Sequence, residues 1–384
     1  MNLLRFRFAI CFLSIVITAC FLFPSGALPQ SSNSSQASTS GQEGKAQPIV
    51  VSKNKMQGYI DTSGNVVIPI QYNIAWDFSE GLASVRVREG DKFGYIDETG
   101  KTIIPPQYSS ADMFSEGLAG VQVKEGGKWG FIDTMGKMVI QPQFDAVYSF
   151  SGGLAAFEAG GKWGFIDKTG KVIIRPEYTG VTGFSEGLVA VYVGGKLQLL
   201  TYTGGKFGFI DTTGKMVVPP QFDDAGAFSE GLARVQTGGK VDILFNEGGG
   251  KSGFIDNNGK MVIPQQYDGA LDFSEGLAAV KVGDKWGFLD AKGNMVIPPT
   301  YDHVGTFHEG LASVQVGSNW GYIDATGKAV IPPQFKSAHA FSQGLARVEV
   351  WPADALDLSA YTDMTGKNVV FIDKTGKHVW EAAK

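Results

Sequence analysis

One stretch of this sequence has the spacing of a hydrolase nucleophile. Residues 183–187, GFSEG, match the G-x-S-x-G pattern, in which an exposed serine sits on a sharp strand-to-helix turn beside an oxyanion hole. The equivalent segments elsewhere in the chain carry Asp77, Met113 or Ala227 in the place of Gly183. Because Ser185 belongs to a repeated turn, the sequence predicts no catalytic residue and no enzyme, and a hydrolase is only a remote alternative.

Aspartate is the next residue type that could do chemistry, as a calcium ligand or as a paired acid. Nine aspartates follow Ile or Leu at regular spacing. They are Asp61, Asp97, Asp133, Asp167, Asp211, Asp256, Asp290, Asp324 and Asp373. The calcium-loop pattern D-x-D-x-D-G is absent from the sequence, and Asp-x-x-Gly is typical of a hairpin turn, because the carboxylate accepts from a nearby backbone amide and Gly takes a left-handed conformation. We therefore predict nine structural turns.

Two further motifs are incomplete. Residues 250–252, GKS, resemble the end of a phosphate-binding loop, but Phe245 stands where that loop needs a glycine. The histidines lack both metal-ligand spacing and a cysteine partner. They are His303, His308, His339 and His378. The sequence thus predicts neither a metal site nor a cofactor.

The first 27 residues have the pattern of an export signal. Arg5 and Arg7 precede an uninterrupted apolar run from Phe8 to Phe23, and residues 25–27, SGA, offer a small-residue cleavage site. The run is shorter than the roughly 20 residues that span a bilayer. We predict an exported protein, periplasmic or secreted.

Cys20 ends a second motif within this signal peptide. Residues 17–20, ITAC, resemble the lipobox of bacterial lipoproteins, whose cysteine becomes acylated. A lipobox cysteine is usually followed by polar residues, whereas Phe21 continues the apolar run, which favours cleavage after Ala27. Cys20 is therefore either a lipidation site or an ordinary apolar residue, and membrane contact is expected only through the signal or this anchor.

The mature chain is mildly acidic and lacks cysteine. Both Cys11 and Cys20 lie in the signal, which excludes disulfides and thiolate metal sites from a chain that starts at Leu28. Loss of the signal's two arginines takes the net charge from −5 to −7, which argues against a nucleic-acid partner. Residues 28–48 are rich in Ser and Gln, with almost no large apolar residue, and are predicted to form a disordered linker.

Residues 49–384 form a repeat array. The nine aspartates recur every 34 to 36 residues, apart from three intervals of 44, 45 and 49. A second marker, Phe-Ser-Glu-Gly-Leu or a close variant, follows each of the first eight copies. Its Phe is residue 78, 114, 150, 184, 228, 273, 307 or 341. The two markers in fixed phase predict eight full units and a degenerate copy that caps the C-terminus.

Each unit contains three strand-like runs, which the fourth copy shows as residues 163–167, 171–174 and 188–193. In the first run, the Gly after the aromatic residue, such as Gly164, is predicted to let a neighbour lie against the backbone. The third run alternates, so Ala83 and Val85 should face a core, and Ser84 and Arg86 should face water.

These patterns predict an all-β fold. We expect the three-stranded antiparallel units to stack as an open, curved solenoid, because no unit has enough apolar residues to fold alone. A closed, propeller-like ring is the alternative, since meandering strands can also close radially.

The repeated motif is similar to a known family. Residues 128–133, KWGFID, residues 162–167, KWGFID, and residues 285–290, KWGFLD, each followed by a Pro-containing strand and an FSEGLA-like turn, resemble the bacterial WG (KWG) repeat. The resemblance covers roughly residues 53 to 384. It implies a β-rich array of the kind common in exported or envelope-associated proteins, generally without a defined enzymatic activity. Phe93, Phe207 and Ser252 depart from the family's tryptophan.

Function is expected where the spacing fails. The two long intervals in mid-chain hold about ten extra residues each, in the connection between the third run and the next tryptophan strand. They predict two lengthened hairpins on adjacent repeats, near each other in space, which either bind a partner or merely lengthen strands. The candidate interaction residues are Leu197, Leu199, Leu200, Tyr202, Val241, Ile243, Leu244 and Phe245. A third insertion, residues 351–367, is expected to seal the end of the array.

The function predicted from these features is a non-enzymatic scaffold that binds a protein partner in the envelope or outside the cell. The alternative is a module that binds cell-wall polysaccharide, in which exposed aromatic residues stack on sugar rings. The aromatic residues concerned are Trp129, Trp163, Trp286 and Trp320.

Overall fold

A computed structural model describes residues 46–198, 201–239, 241–242, 249–351 and 369–381. The predicted signal peptide with Cys20, and most of the predicted linker, lie outside these ranges. So do residues 352–367 of the third insertion.

The Asp-x-x-Gly segments form hairpin turns, as predicted. In the fourth copy, Asp167 Oδ1 accepts from the backbone amides of Thr169 at 2.9 Å and Lys171 at 3.0 Å. Gly170 takes a left-handed conformation with φ of 84°. Hydrogen bonds, first that from the Thr169 hydroxyl, lower the pKa of Asp167 below its ordinary value. The carboxylate is therefore occupied by its own turn.

The strands are grouped into nine small antiparallel sheets, or blades. Blade 1 contains β1 (Ile49–Lys53), β2 (Met56–Ile60) and β3 (Val66–Tyr72). Blade 2 contains β4 (Ile74–Ala75), β5 (Leu82–Arg86), β6 (Phe93–Asp97) and β7 (Thr102–Tyr108). Blade 3 contains β8 (Ser110–Ala111), β9 (Leu118–Gln122), β10 (Trp129–Asp133) and β11 (Met138–Phe144). Blade 4 contains β12 (Ala146–Val147), β13 (Leu154–Ala159), β14 (Lys162–Asp167) and β15 (Val172–Tyr178).

The remaining blades repeat this pattern. Blade 5 contains β16 (Gly180–Val181), β17 (Leu188–Gln198), β18 (Thr201–Asp211) and β19 (Met216–Phe222). Blade 6 contains β20 (Asp224–Ser229), β21 (Leu232–Thr237), β23 (Lys251–Asp256) and β24 (Met261–Tyr267), and β22 (Val241–Asp242) pairs with β18 of blade 5. Blade 7 contains β25 (Gly269–Ala270), β26 (Leu277–Val282), β27 (Lys285–Asp290) and β28 (Met295–Tyr301). Blade 8 contains β29 (His303–Val304), β30 (Leu311–Val316), β31 (Asn319–Asp324) and β32 (Ala329–Phe335), and blade 9 contains β33 (Ser337–Ala338), β34 (Leu345–Glu349), β35 (Val369–Asp373) and β36 (His378–Glu381).

The blades close into a nine-bladed propeller. One core cluster joins Val51 and Ile60 of blade 1 to Leu345, Val369 and Phe371 of blade 9. The predicted open solenoid is therefore wrong, and the closed ring that was its alternative is confirmed. Closure buries the apolar faces of both end blades, which an open array would leave in water.

The prediction of three strands per unit is also wrong, because blades 2 to 9 have four. In blades 2 to 5 and 7 to 9 the extra strand is a pair of residues just before the Phe-Ser-Glu-Gly turn or its variant, too short for its alternation to be visible in the sequence. In blade 6 it is the six-residue β20. The sequence copy and the blade are also offset. Each copy supplies the third and fourth strands of one blade and the first two strands of the next.

The expected wet face of the third run is absent from the second strands of the blades. Ser84 of β5 is fully buried, and its hydroxyl donates to the Ala111 carbonyl of blade 3 at 3.0 Å. Successive side chains of this strand therefore point alternately toward one neighbouring blade and the other, since both faces of each sheet pack against another sheet.

The glycine of the tryptophan strand lies against a backbone, as predicted. In blade 4, Trp163 pairs with Tyr178 and Phe165 pairs with Ile174, so β15 bulges by two residues opposite Gly164. A Cβ on Gly164 would lie 2.5 Å from the Ile174 carbonyl oxygen. The bulge contains Pro176, which has no amide to donate, and proline on this outer strand also blocks edge-to-edge pairing.

The Phe-Ser-Glu-Gly turns connect each blade to the next. The phenylalanine packs on the third-strand aromatic of the preceding blade, as Phe184 does on Phe165 with centroids 4.9 Å apart. The serine hydroxyl donates to the next phenylalanine's carbonyl, as Ser185 does to Phe228 at 2.6 Å. Five other serines make the same hydrogen bond. Ser185 is thus bonded in the way that its repeat predicts.

Candidate binding site

The two mid-chain insertions meet on one face of the ring. The first lengthens β17 and β18 into an 11-residue pair of strands, in which Leu197 pairs with Tyr202. The second adds β22, whose Val241 pairs with Tyr202 and whose Asp242 pairs with Thr201. The predicted proximity of the two insertions is confirmed, and they form a single three-stranded extension.

Tyr202 anchors this extension to the ring. Its ring centroid lies 4.5 Å from that of Tyr192 and 5.5 Å from that of Phe207, the residue in the tryptophan position. Its hydroxyl lies over Gly180, where a Cβ would be 2.1 Å away. Burial raises the pKa of Tyr202, with smaller effects from Tyr148 and other neighbours. Tyr202 is therefore a neutral, packed aromatic residue.

A cleft of about 200 Å³ opens beside Tyr202. Its walls are Tyr192, Tyr202, Thr203, Gly204, Gly205, Asp223 and Gly239. The Tyr192 hydroxyl accepts from the Gly205 amide at 2.8 Å, which holds the glycine-rich wall in place. We call this cleft, Leu197 and β22 the insertion site.

A stacked aromatic pair of blade 4 belongs to the same neighbourhood. Tyr148 and Trp163 lie 4.7 Å apart with an interplanar angle of 29°, and Tyr148 is 45% exposed. The negative charge of Glu158 contributes to raising the pKa values of both Tyr148 and Tyr202, so this carboxylate is close to both residues. Burial, and then Asp145, raise the pKa of Glu158. The surroundings of the cleft are thus aromatic and acidic.

Asp223, the carboxylate in the cleft wall, has a structural role. It accepts from Lys206 Nζ at 2.5 Å and from the Gly238 amide at 2.9 Å. The same arrangement of lysine, aspartate and glycine amide recurs in three other blades, as for Lys285, Asp302 and Gly317. Asp223 therefore holds the hairpin of its blade rather than projecting as a free acid.

The predicted interaction residues are only partly described. Leu197 is 36% exposed near the hairpin tip, and Tyr202 is half-buried in the aromatic cluster. Val241 lies in β22, but its side chain is not described. The others, Leu199, Leu200, Ile243, Leu244 and Phe245, lie outside the described residues.

Sequence analysis missed Tyr148 and Tyr192. A comparison of equivalent positions would have found Tyr192, because the other blades carry polar or charged residues there, such as Arg86, Gln122 and Lys281. Of the four tryptophans proposed for sugar stacking, Trp129 and Trp320 are buried. Trp163 and Trp286 are half-buried.

No group of three or more His, Cys, Asp or Glu side chains in the described part of the chain could hold a metal ion. No helix among the described residues is long and apolar enough to cross a membrane.

Comparison with known families identifies the repeat. The model of the WG containing repeat matches eight segments that together cover more than half of the chain. The segments are 58–90, 93–129, 129–163, 163–196, 207–240, 253–286, 286–320 and 320–350. The chain belongs to the WG-repeat family. No curated protein matches this WG-repeat chain.

Solved structures resemble the WG-repeat ring at low identity. Virginiamycin B lyase from Staphylococcus aureus is 13% identical, with 74% of this chain and 97% of that chain covered and a TM-score of 0.34. Kluyveromyces lactis Hsv2 is 10% identical, with 72% and 92% covered and a TM-score of 0.37. The tricorn protease is 14% identical, with 87% and 36% covered and a TM-score of 0.38.

Proposed function

We propose that this WG-repeat propeller is a non-enzymatic scaffold that binds a protein partner through the insertion site, in the cell envelope or outside the cell. The observation that supports the proposal is the pairing of β22 with β18. Two insertions that lie about 40 residues apart in an otherwise regular ring converge on one extension. Insertions in repeat proteins map to loops on one face, which is often the binding face.

The location of the insertion site favours a role in binding a partner over a role in stabilising the ring. The insertion site projects beyond the Gly-Gly turn at which the corresponding hairpin of blade 4 ends, so a blade can form without it. Tyr202 is only half-buried, and aromatic residues are of the type that anchors protein interfaces. The same extension displays an aliphatic tip residue, Leu197, to solvent.

Removal of both insertions should abolish partner binding without unfolding the ring. Deleting residues 196–205 leaves Gly194-Gly195-Lys206, and deleting residues 240–250 leaves Gly238-Gly239-Lys251. Both deletions restore the Gly-Gly-Lys turn of blade 4, residues 160–162, and its 34-residue spacing. We expect proteins captured from the native envelope by the full chain to be lost from the double-deletion variant.

Circular dichroism and thermal unfolding provide the control for this experiment. The variant should keep a β-sheet spectrum and a cooperative transition. An unchanged set of captured proteins from a folded variant would contradict the proposed role of the insertion site.

Glycan binding is the second candidate, favoured by the exposed Tyr148 stacked on Trp163. Sugar rings pack on such surfaces. If this role is correct, soluble cell-wall polysaccharide should change the tryptophan emission of the protein. Tyr148→Ala should abolish the change, whereas Tyr148→Phe, which keeps the ring, should preserve it. Emission that does not respond to polysaccharide would exclude this candidate.

A further inference from the structure

Among the described residues, the inner strand of blade 1, β1, has one unpaired edge. In the other eight blades the second strand pairs on both sides, as β5 does with β6 and with β4 through Ala75 and Val85. In blade 1, β1 pairs with β2, and no described strand lies along its other edge. The sequence agrees, because the Phe-Ser-Glu-Gly marker occurs eight times whereas the ring has nine blades.

The neighbouring blade presents the receptor for a ninth first strand. At eight junctions a third-strand aromatic packs on the next blade's phenylalanine at 4.9 to 5.1 Å, as Tyr322 does on Phe341. At the junction of blades 9 and 1 the equivalent aromatic is Phe371. Among the described residues, its aromatic partner is Trp380 of its own blade at 5.8 Å.

The serine that follows the phenylalanine repeats this asymmetry. Six serines donate to the carbonyl of the next blade's phenylalanine, as Ser274 does to Phe307 at 2.6 Å. Ser342 of blade 9 is the equivalent residue that faces blade 1. Its hydroxyl makes no such hydrogen bond within the described ranges.

Arg347 of blade 9 indicates that a strand bound at this edge would carry an acidic residue. Arg234 of blade 6 lies within 3.8 Å of Asp272, which immediately precedes the phenylalanine of blade 7. Arg347 occupies the equivalent position of blade 9, because it pairs with Phe371 as Arg234 pairs with Phe254. Its Nη1 atom instead lies 3.3 Å from His339 Nε2. No described strand of blade 1 supplies a carboxylate that would match Asp272.

Arg347 is half-buried and His339 is exposed, so water reaches both side chains. Partial desolvation lowers the pKa of Arg347, an effect that Glu349 partly offsets. The Glu349 carboxylate in turn lies 3.5 Å from Lys336 Nζ. Partial desolvation, and then Arg347, lower the pKa of His339, so this imidazole is not a countercharge for Arg347.

We propose that the unpaired edge of β1 binds an extended peptide of a partner protein by strand addition, and that the peptide carries a small apolar residue, any residue, an acidic residue, phenylalanine and serine in that order. The backbone of such a peptide would pair with β1, and its acid would pair with Arg347. Its phenylalanine would pack at the edge of the seam cluster, beside Trp380 and Phe371, which is itself only 5% exposed. Strand addition derives affinity from main-chain hydrogen bonds and specificity from side-chain pockets. The WG-repeat chain itself contains this pattern at residues 270–274, ALDFS, inside blade 7.

A fluorescent synthetic peptide with the sequence of residues 267–276, YDGALDFSEG, provides the probe. It should bind the full chain in an anisotropy titration. Replacing its phenylalanine by alanine should weaken binding at least tenfold. Replacing the aspartate that directly precedes phenylalanine by asparagine should weaken binding to the wild-type protein but not to the Arg347→Ala variant, since the ion pair is absent from the variant in either case.

The matched control is a variant in which the protein's own chain carries the peptide sequence directly before β1. Replacing residues 38–47 by YDGALDFSEG places phenylalanine four residues before Pro48, as Phe78 lies four residues before Leu82. This variant should unfold at higher temperature than wild type and should no longer bind the free peptide.

Three outcomes would overturn the proposal. One is a failure of the full chain to bind the peptide at about 1 mM, a concentration that detects even weak complexes. Another is binding that does not weaken when the peptide's phenylalanine is replaced, or that persists in the variant whose own residues 38–47 carry the strand sequence. The third is binding that appears only after residues 28–45 are removed, because the chain's own segment would then occupy the edge.

Discussion

Arg234→Ala should lower the free energy of unfolding by about 3 kcal/mol, because it leaves a buried carboxylate without its counterion. The guanidinium of Arg234 donates to Asp224 Oδ2, and both side chains are only 11% exposed. Asp272 approaches the same guanidinium from blade 7 but is 39% exposed, so solvent screens its contribution. Denaturant unfolding of the two proteins would measure the difference.

The loss of unfolding free energy in the Arg234→Ala variant should grow as pH rises. The Oδ1 atom of Asp272 is enclosed although the side chain as a whole is 39% exposed, and this partial desolvation raises the pKa of Asp272 above its ordinary value of 3.8, an effect that Arg234 counteracts. Without Arg234 this pKa rises further, so the folded variant holds a proton that the unfolded chain releases. Its stability relative to wild type should therefore fall as pH rises above 3.8.

The ring offers a matched control for this prediction. Ala190 and Gly180 of blade 5 occupy the positions of Arg234 and Asp224, and Ala227 of blade 6 occupies that of Asp272. A triple variant with Arg234→Ala, Asp224→Gly and Asp272→Ala removes all three charges together, and it should recover most of the loss. A single variant that loses less than about 1 kcal/mol would show that the carboxylates do not depend on the guanidinium.

Gly164→Ala should destabilise the ring by about 3 kcal/mol, through overpacking against a backbone that cannot move aside. The new Cβ would lie 2.5 Å from the Ile174 carbonyl oxygen and 2.7 Å from the Pro176 nitrogen. Relief would require β15 to separate from β14, which would break the ladder of blade 4. The loss should appear in the denaturant midpoint of the variant.

Gly183→Ala is the control, because a Cβ there meets nothing within 4 Å. It should leave the midpoint within about 0.5 kcal/mol of wild type, as most surface substitutions do. This variant also removes the first glycine of the nucleophile-like pattern. Equal stabilities for Gly164→Ala and Gly183→Ala would show that the bulge opposite Gly164 tolerates a side chain.

Local chemistry explains why the sequence predicted the turns, the close glycine and the neighbouring insertions. Asp167 and Gly170 form their turn with residues no more than four positions away, and such patterns are visible in any one copy. Tyr202 could be placed in the candidate site because its repeat is longer than its neighbours.

Closure and strand count depend on information that no single copy contains. Whether the array closes is decided by the rotation between blades, and the contact between Val51 and Phe371 joins opposite ends of the chain. The burial of Ser84 follows from the same face-to-face packing. Tyr148 and Trp163 were missed as a pair because the fold, rather than a motif, brings them together.

The offset between sequence copy and blade has a mechanical consequence. Because each copy straddles two blades, the covalent chain crosses every junction of the ring except that between blades 9 and 1. In the described residues, this one seam is held by side-chain packing around Val51 and Phe371, without a shared strand. A force that pulls the chain ends apart would separate blades 9 and 1 first. The ring would then open at this one junction, while the eight junctions that the covalent chain crosses remained intact.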